Sequence, residues 1–257
     1  MLDYAAFPDQ RQNKIRQLLN ENGRVICTVL AREMSVSEHT IRRDLNELAQ
    51  EGVCRRVHGG AVSVLVGAGS FEQRIEQNQA EKAKIAQKCA SLIKDAGCIF
   101  IDAGSTNLEI ARCIPDNLAV TVITNSPTIA IELMKKSISE VILIGGKLNT
   151  QIGASVDSSA VRQISQIHFD QCFLGGCALD PQIGISIFDY EEAEFKKVLI
   201  EQSSQVIMGL TVDKLPGVAR YTIADCDQLS ILVMDKQLPK EIIQLFDNNS
   251  VKILFSD

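Results

Sequence analysis

From Glu81 onward the chain carries seven short, unbroken apolar runs: CIFID (98–102), VTVIT (120–124), EVILIG (140–145), CFLG (172–175), QVIMG (205–209), LSILVM (229–234) and VKILF (251–255). Segments with helical character lie between or beside them, near 81–94, 106–114, 127–136, 157–165, 190–203 and 239–247. A strand with one solvated face alternates apolar and polar residues, whereas a strand covered on both faces is apolar throughout. The runs therefore predict a mostly parallel sheet with helices on both sides, an α/β domain over residues 79–257.

The beginning of the chain follows another rule. Ile15, Leu18 and Leu19 recur at helical spacing until Asn22-Gly23 stops the helix, and Val25-Ile26-Cys27 reads as a short strand. Thr28 is placed to cap a second helix, Ser35-Val36 to turn the chain, and Ser37 to cap a third. Ile41, Leu45 and Leu48 form that helix's apolar stripe up to Gly52, and His58-Gly59-Gly60 reads as the tight turn of a hairpin. Two helices, a sharp turn and a hairpin over residues 1–63 predict a helix–turn–helix unit followed by a hairpin. Residues 67–80 lose the apolar pattern, and 64–78 are expected to be a linker.

The 257 residues carry 26 Lys+Arg and 32 Asp+Glu, a net charge of −6, which alone disfavours nucleic acid. The charge is uneven: residues 1–62 hold nine basic and eight acidic side chains, and the remainder carries a charge of −7. On the third helix the face opposite the stripe presents Glu38, His39, Arg42, Arg43 and Asn46, and Arg55, Arg56 and His58 lie on the hairpin. A helix that reads a major groove needs such a layout, apolar inside and hydrogen-bonding outside. Arg42 and Arg43 suit guanine edges or phosphates equally. Four arginines and four acids over 35–60 also fit an ordinary solvated helix.

The stretch from Arg11 to Val62 resembles the N-terminal domain of DeoR-family bacterial transcription regulators through RQNKI (11–15), VSEHTIRRDLNEL (36–48), EG (51–52) and RRVHGGAV (55–62). The resemblance implies a winged helix–turn–helix that binds operator DNA, with 38–50 as the recognition helix. It carries a DNA-contact role to Ser37, Thr40, Arg42 and Arg43, and matches Arg55, Arg56 and His58 to the wing. Glu38 and His39 fall where the family varies, which suits discrimination between operators.

In the larger domain, four loops at carboxyl ends of strands are rich in small and hydroxyl residues: Asp102-Ala103-Gly104-Ser105-Thr106, Thr124-Asn125-Ser126, Gly145-Gly146-Lys147 and Gly175-Gly176. Ligands of open parallel sheets bind at that crest, and helix N-termini there favour anions. Any one such loop is also ordinary turn chemistry. FEQRIEQNQAEKAKIA (71–86), IDAGSTNLEIA (101–111), VTVITNSPTIA (120–130), VILIGGKL (141–148) and FDQCFLG (169–175) resemble the DeoR-family sensor domain, itself similar in fold to ribose-5-phosphate isomerase. By that resemblance Asp102, Gly104, Ser105 and Thr106 line a pocket for a phosphorylated sugar, with Asn125, Gly145, Gly146, Lys196 and Lys214 around it. The chain departs from the family at Thr211, where an acid is usual, and at 176–180, GCALD.

The resemblance implies a repressor of a sugar operon, working as a homo-oligomer (dimer or tetramer) in the cytoplasm without a cofactor. Eight cysteines with no C-x-x-C pair suggest reduced thiols, and three histidines leave little for metal or His-based catalysis. No apolar run nears the ~18–20 residues that span a bilayer, and the N-terminus lacks a secretion signal. Two alternatives stand beside this reading: a sugar-phosphate isomerase fused to a DNA-binding head, and a regulator whose larger domain only oligomerises. The Asp189–Glu194 carboxylates have the look of an acid–base cluster, but at the start of an expected helix they read first as residues that favour the helix dipole.

Overall fold

The computed structural model describes Tyr4 and residues 7–67, 69–247 and 250–256. Positions 1–3, 5 and 6 of the expected reading head, 68 of the expected linker, and 248, 249 and 257 lie outside the described residues.

The chain opens with α1 (Pro8–Asn22), β1 (Arg24–Ile26), α2 (Cys27–Glu33), α3 (Glu38–Gln50) and the hairpin β2 (Cys54–Val57) and β3 (Gly60–Ser63). β3 lies between β1 and β2 in a three-stranded antiparallel sheet, which makes the unit a winged helix–turn–helix. The stripe Ile41, Leu45 and Leu48 is fully buried against Ile15, Leu19 and Leu30. Ser35 takes a left-handed conformation (φ 53°) at the turn, and the Ser37 hydroxyl caps α3 by accepting from the Thr40 N–H at 3.1 Å. Thr28 is not the cap of α2. That helix begins a residue earlier, and the wing turn supplies the partner instead, the Gly59 carbonyl accepting from the Cys27 N–H at 2.8 Å.

Arg11 and Asp44 form a buried two-point ion pair joining α1 to α3; the Nη2–Oδ1 arm is 2.9 Å. The Asp44 hydrogen bond raises the Arg11 pKa, so the guanidinium stays charged. One of the four acids of 35–60 is thus turned inward, away from the exposed face of α3.

Next come α4 (Phe71–Glu76) and α5 (Gln79–Ala90), then β4 (Cys98–Ile101), α6 (Ser105–Cys113), β5 (Thr121–Thr124), α7 (Pro127–Leu133) and β6 (Glu140–Leu143). The short pair β7 (Leu148–Asn149) and β8 (Ala154–Ser155) precedes α8 (Ser158–Ile164), β9 (Gln171–Phe173), β10 (Ala178–Asp180), β11 (Gly184–Ile187) and α9 (Tyr190–Glu201). The chain ends with β12 (Val206–Leu210), β13 (Tyr221–Ala224), β14 (Ile231–Met234), α10 (Lys240–Asp247) and β15 (Lys252–Phe255).

The seven apolar runs become one parallel sheet in the order β15-β14-β12-β9-β4-β5-β6. Neighbouring β4 residues feed different cores: Phe100 packs with Phe169 and Phe195 on one face, Ile99 and Ile101 with Ile85 and Leu108 on the other. This two-faced burial is why the strands read as unbroken apolar runs. From β4 the chain proceeds through β5 and β6 to one edge, then returns through β9, β12, β14 and β15 to the other. The carboxyl ends of β4 and β9 therefore flank the topological switch point, where a crevice opens in sheets of this kind.

Two features differ from expectation. A second sheet, β10-β11-β13, is antiparallel and stands beside the main one. The stretch 64–78 is also not a free linker. Leu65 N–H donates to the Val218 carbonyl at 2.8 Å, and α4 is capped at Ser70 with Phe71 buried. Its few apolar side chains hid it, but backbone pairing and a capping box hold it in place.

Candidate functional site

At the switch point the chain leaves β4 through Asp102, Ala103 and Gly104 into the first turn of α6, and leaves β9 through Gly175 and Gly176. The cleft between these loops is lined by Gly104, Ser105 and Thr106, with Lys214 and Arg74 over it. It continues past Cys177 into a cavity of about 160 Å³ walled by Gln151, Ile152, Phe188, Asp189 and Glu192, with Arg74 and Lys214 common to both parts. The N–H groups of the first turn of α6 have no helical acceptor, and the helix dipole adds positive potential there.

Beneath the cleft lies a buried ionic floor. Asp102 is fully buried: Oδ1 accepts from the Ala103 N–H at 2.8 Å, and Oδ2 from the Gly175 N–H at 2.9 Å and the Lys196 ammonium at 2.6 Å. Lys196 also donates to the Gly175 carbonyl at 2.6 Å and pairs with Glu192 at 3.0 Å. Burial lowers the Lys196 pKa, but Asp102 and Glu192 more than offset it and the net shift is upward. Gly175 must be glycine here: a Cβ would stand 2.5 Å from the Ala103 carbonyl oxygen and close to both charged groups. Asn125 is buried beside them, its Oδ1 accepting from Ala103 N–H at 3.1 Å while its Nδ2 has no partner among the described residues. Asp102, Lys196 and Asn125 thus shape the cleft from below, whereas Gly104, Ser105, Thr106 and Lys214 line it.

Gly145 and Gly146 are not in that lining. Gln163 of α8 bridges the N–H and carbonyl of Gly145, and a Cβ on Gly146 would meet Asp157 at 2.3 Å. Arg74 is the cavity residue the sequence reading missed. Its Nη2 lies 3.4 Å from the Gln151 and Ile152 carbonyls, its guanidinium stacks 5.8 Å over Phe71, and its buried Nε has no partner among the described residues. The available signal was the S-x-x-Q capping box Ser70–Gln73, which announces the short helix bearing it. Asp189 caps α9 through the Glu192 N–H at 2.9 Å, as the helix-start reading of those carboxylates expects, and also lines the cavity. The Thr211 hydroxyl, where the family usually has an acid, is buried without a partner among the described residues.

The cations over the cleft repel one another. Burial, then Lys214 and Arg74, lower Lys82 to about 8, and its ammonium donates to the Arg74 and Gln77 carbonyls. Burial likewise lowers Lys214. A bound anion favours the charged ammonium, so binding takes up protons as pH rises through this range. Affinity for a phosphomonoester is expected to fall as pH rises through the lowered range of Lys214, and also below about pH 6, where the ligand becomes a monoanion. Calorimetric titration across that range checks it. Without ligand, Lys82 has the opposite signature: stability increases from about 8 up to the ordinary lysine range, because the unfolded chain there binds more protons.

On the head, Glu38, His39, Arg42, Arg43, Arg55 and His58 are exposed and Thr40 is half-buried at the helix start. The Ser37 hydroxyl also bonds the Thr40 hydroxyl at 2.8 Å. Arg42 and Arg43 pair along the helix with Glu38 at 3.3 Å and Glu47 at 3.1 Å. Arg56 turns inward instead: its Nη1 donates to the Arg42 carbonyl at 2.9 Å and Asn46 Oδ1 at 3.0 Å, bracing the wing on α3. Among the described residues no group of three or more His, Cys, Asp or Glu could hold a metal ion, and no helix is long and apolar enough to cross a membrane.

Comparison with known families matches residues 11–65 to the DeoR-like helix-turn-helix domain and residues 77–236 to the DeoR C terminal sensor domain. The chain belongs to the DeoR family of transcriptional regulators. This DeoR-family chain is 31% identical to the HTH-type transcriptional regulator GolR of Listeria innocua, over 98% of its own length and 100% of that protein. It is 30% identical to the glycerol-3-phosphate regulon repressor of Escherichia coli K12, over 95% and 97% of the two chains. With the HTH-type transcriptional repressor GlcR of Bacillus subtilis the identity is 29%, over 98% and 97%. Superposition on ribose 5-phosphate isomerase A of Methanocaldococcus jannaschii covers 54% of this chain and 55% of that one, with TM-score 0.39 and 17% identity. GolR, the glycerol-3-phosphate regulon repressor and GlcR are all named as transcriptional regulators or repressors, and the DeoR-family chain is a DNA-binding regulator.

Proposed function

We propose that this regulator is a cytoplasmic repressor of a carbohydrate operon that releases its operator when a phosphorylated sugar enters the crest cavity. The observation that carries the reading is the pairing of Lys214 and Arg74 with the N-terminus of α6 over one cleft. A phosphate fits the cationic end, and the hydroxyls of a sugar fit Gln151 and Asp189 at the other. Relatives named as repressors of the glycerol-3-phosphate and aga regulons support the same class of ligand. Residues 1–63 act as the reading head and 79–257 as the sensor. Ser37, Glu38, His39, Thr40, Arg42, Arg43, Arg55 and His58 face operator DNA, while Arg56 holds the wing in register. The regulator works as a homo-oligomer, since paired heads reach two half-sites with an affinity one small head lacks.

The isomerase alternative needs a free general base. Asp102, the acid of the crest motif, has its oxygens engaged by two N–H groups and an ammonium. The test is to select operator sequences from randomised duplex DNA, then titrate the complex with phosphorylated sugars and their unphosphorylated forms. Release by a phosphorylated compound alone supports the reading. Release by none, or turnover of a sugar phosphate, overturns it.

A further inference from the structure

The head rests directly on the sensor, and two short stretches that both begin at the cavity supply part of the contact. One runs from Gly176 and Cys177, in the cavity wall, along β10 to Asp180. There Arg24 Nη1 donates to Asp180 Oδ2 at 3.0 Å, with side chains 8% and 0% exposed. The other runs from Lys214, over the cleft, to Pro216–Val218. Val218 N–H donates to the Ser63 carbonyl at 3.1 Å and its carbonyl accepts from Leu65 N–H at 2.8 Å, so the stretch runs alongside the chain leaving the wing. Gly217 N–H donates to the Leu179 carbonyl at 3.0 Å and ties the two stretches together.

We infer that these stretches are the coupling device, and that Arg24 and Asp180 are its positioning residues, through which the head senses occupancy of the cavity. The inference rests on reading the cavity as an anion site. Asp180 is well suited to the role because it cannot swing to follow a moving partner. Its other oxygen accepts from the Gln182 and Ile183 N–H groups at 2.9 and 3.2 Å, and β10 is paired along its length with β11. A shift of the cavity wall therefore moves the carboxylate as part of the strand, and strands transmit displacement because their ladders are stiff along the chain.

The receiving side is equally constrained. Arg24 opens β1 and lies opposite Val62 of β3, which in turn lies opposite Arg55 of β2. One row of the wing sheet thus links the ion pair to a wing arginine facing DNA in the proposed function. Arg55 itself reaches Thr222 of β13 at 3.5 Å. On the second route, Gly23 sits against Pro216 in a left-handed conformation (φ 69°). A Cβ there would stand 2.3 Å from the Pro216 carbonyl oxygen, so the backbones abut where α1 ends. Two sites biasing one element with two discrete positions is the physical content of such coupling.

The experiment is amide hydrogen exchange on the full chain with and without saturating inorganic phosphate, for the wild type, Arg24→Gln, Asp180→Asn and the conservative Arg24→Lys. In the wild type, phosphate should slow exchange at 103–107 and 175–177 and also change it by about fivefold or more at Leu65, Gly217 and Val218. Arg24→Gln and Asp180→Asn should keep the first response and lose most of the second, and Arg24→Lys should restore part of it. A head-contact response absent in the wild type, or undiminished in both charge-removing variants, overturns the inference and leaves the anion site standing. No slowing at 103–107 overturns the anion-site reading, and the coupling inference with it.

Discussion

Replacing Lys196 by methionine is expected to destabilise the sensor by about 3–5 kcal/mol, the usual effect of removing one partner from a buried ion pair. For a domain of this size that lowers Tm by roughly 6–20 °C. Lys196 is the cation between Asp102 and Glu192, which are 0% and 7% exposed, so the variant leaves two buried carboxylates facing each other. Their pKa values must then rise, because like charges disfavour joint ionisation. The folded variant binds more protons than its unfolded chain across the carboxylate range, so its stability should fall as pH rises through that range. In the wild type the raised Lys196 pKa keeps the ammonium charged, and its contribution persists through neutral pH. Thermal melts of both proteins at several pH values separate this outcome from simple loss of packing, which has no such slope.

The second large effect concerns DNA. Arg42→Ala and Arg43→Ala are each expected to weaken operator binding by ~1–3 kcal/mol if the side chain makes a bidentate contact to guanine. Their side chains are 61% and 78% exposed, and their partners Glu38 and Glu47 lie on the same helix, so folding depends little on them. An arginine on phosphate instead weakens all sequences alike and lowers the salt slope by about one. Anisotropy titrations on operator and scrambled duplexes at several salt concentrations distinguish the two. Arg56→Ala should behave differently, loosening the wing on α3 through loss of its bonds to Arg42 and Asn46. If both Arg42→Ala and Arg43→Ala bound DNA as the wild type does, α3 would not be the reading helix.

Much of this architecture was legible because its causes are local. Strands buried on both faces must be apolar throughout, and all seven such runs became strands of the one parallel sheet. The stripe of α3 and the Ser37 cap follow from helix geometry alone. The second sheet was hidden because β10 (ALD), β11 (GISI) and β13 (YTIA) mix polar or small residues with apolar ones and so carry no unbroken apolar run. The lining of the cavity was half legible. Gly104–Thr106 and Lys214 line it, but Gly145 is bonded to Gln163 and Gly146 packs close against Asp157. Sequence marks every crest loop alike, whereas strand order decides which two flank the switch point. Arg74 reaches the cavity from a helix that precedes the sheet, and nothing in a strand pattern points to it.

The net charge of −6 has a similar history. Acids that would oppose DNA are engaged within the fold: Asp44 by Arg11, Glu51 by Arg16, and Asp180 by Arg24. What matters for binding is therefore the exposed face of α3 and the wing, not the sum over the chain.

The most direct test of the central claim, a phosphate-selective cavity at the crest, is a thermal shift series. The wild type and an Arg74→Ala, Lys214→Ala double variant would be heated with glucose 6-phosphate, fructose 6-phosphate, glycerol 3-phosphate and the unphosphorylated parents. A ligand at a hundred times its Kd stabilises the fold by about 2.7 kcal/mol, well above detection. The expected result is a rise in Tm with at least one phosphorylated compound, none with its parent, and none in the double variant. Equal stabilisation by parent and phosphate, or a phosphate effect that survives the double variant, would contradict the account.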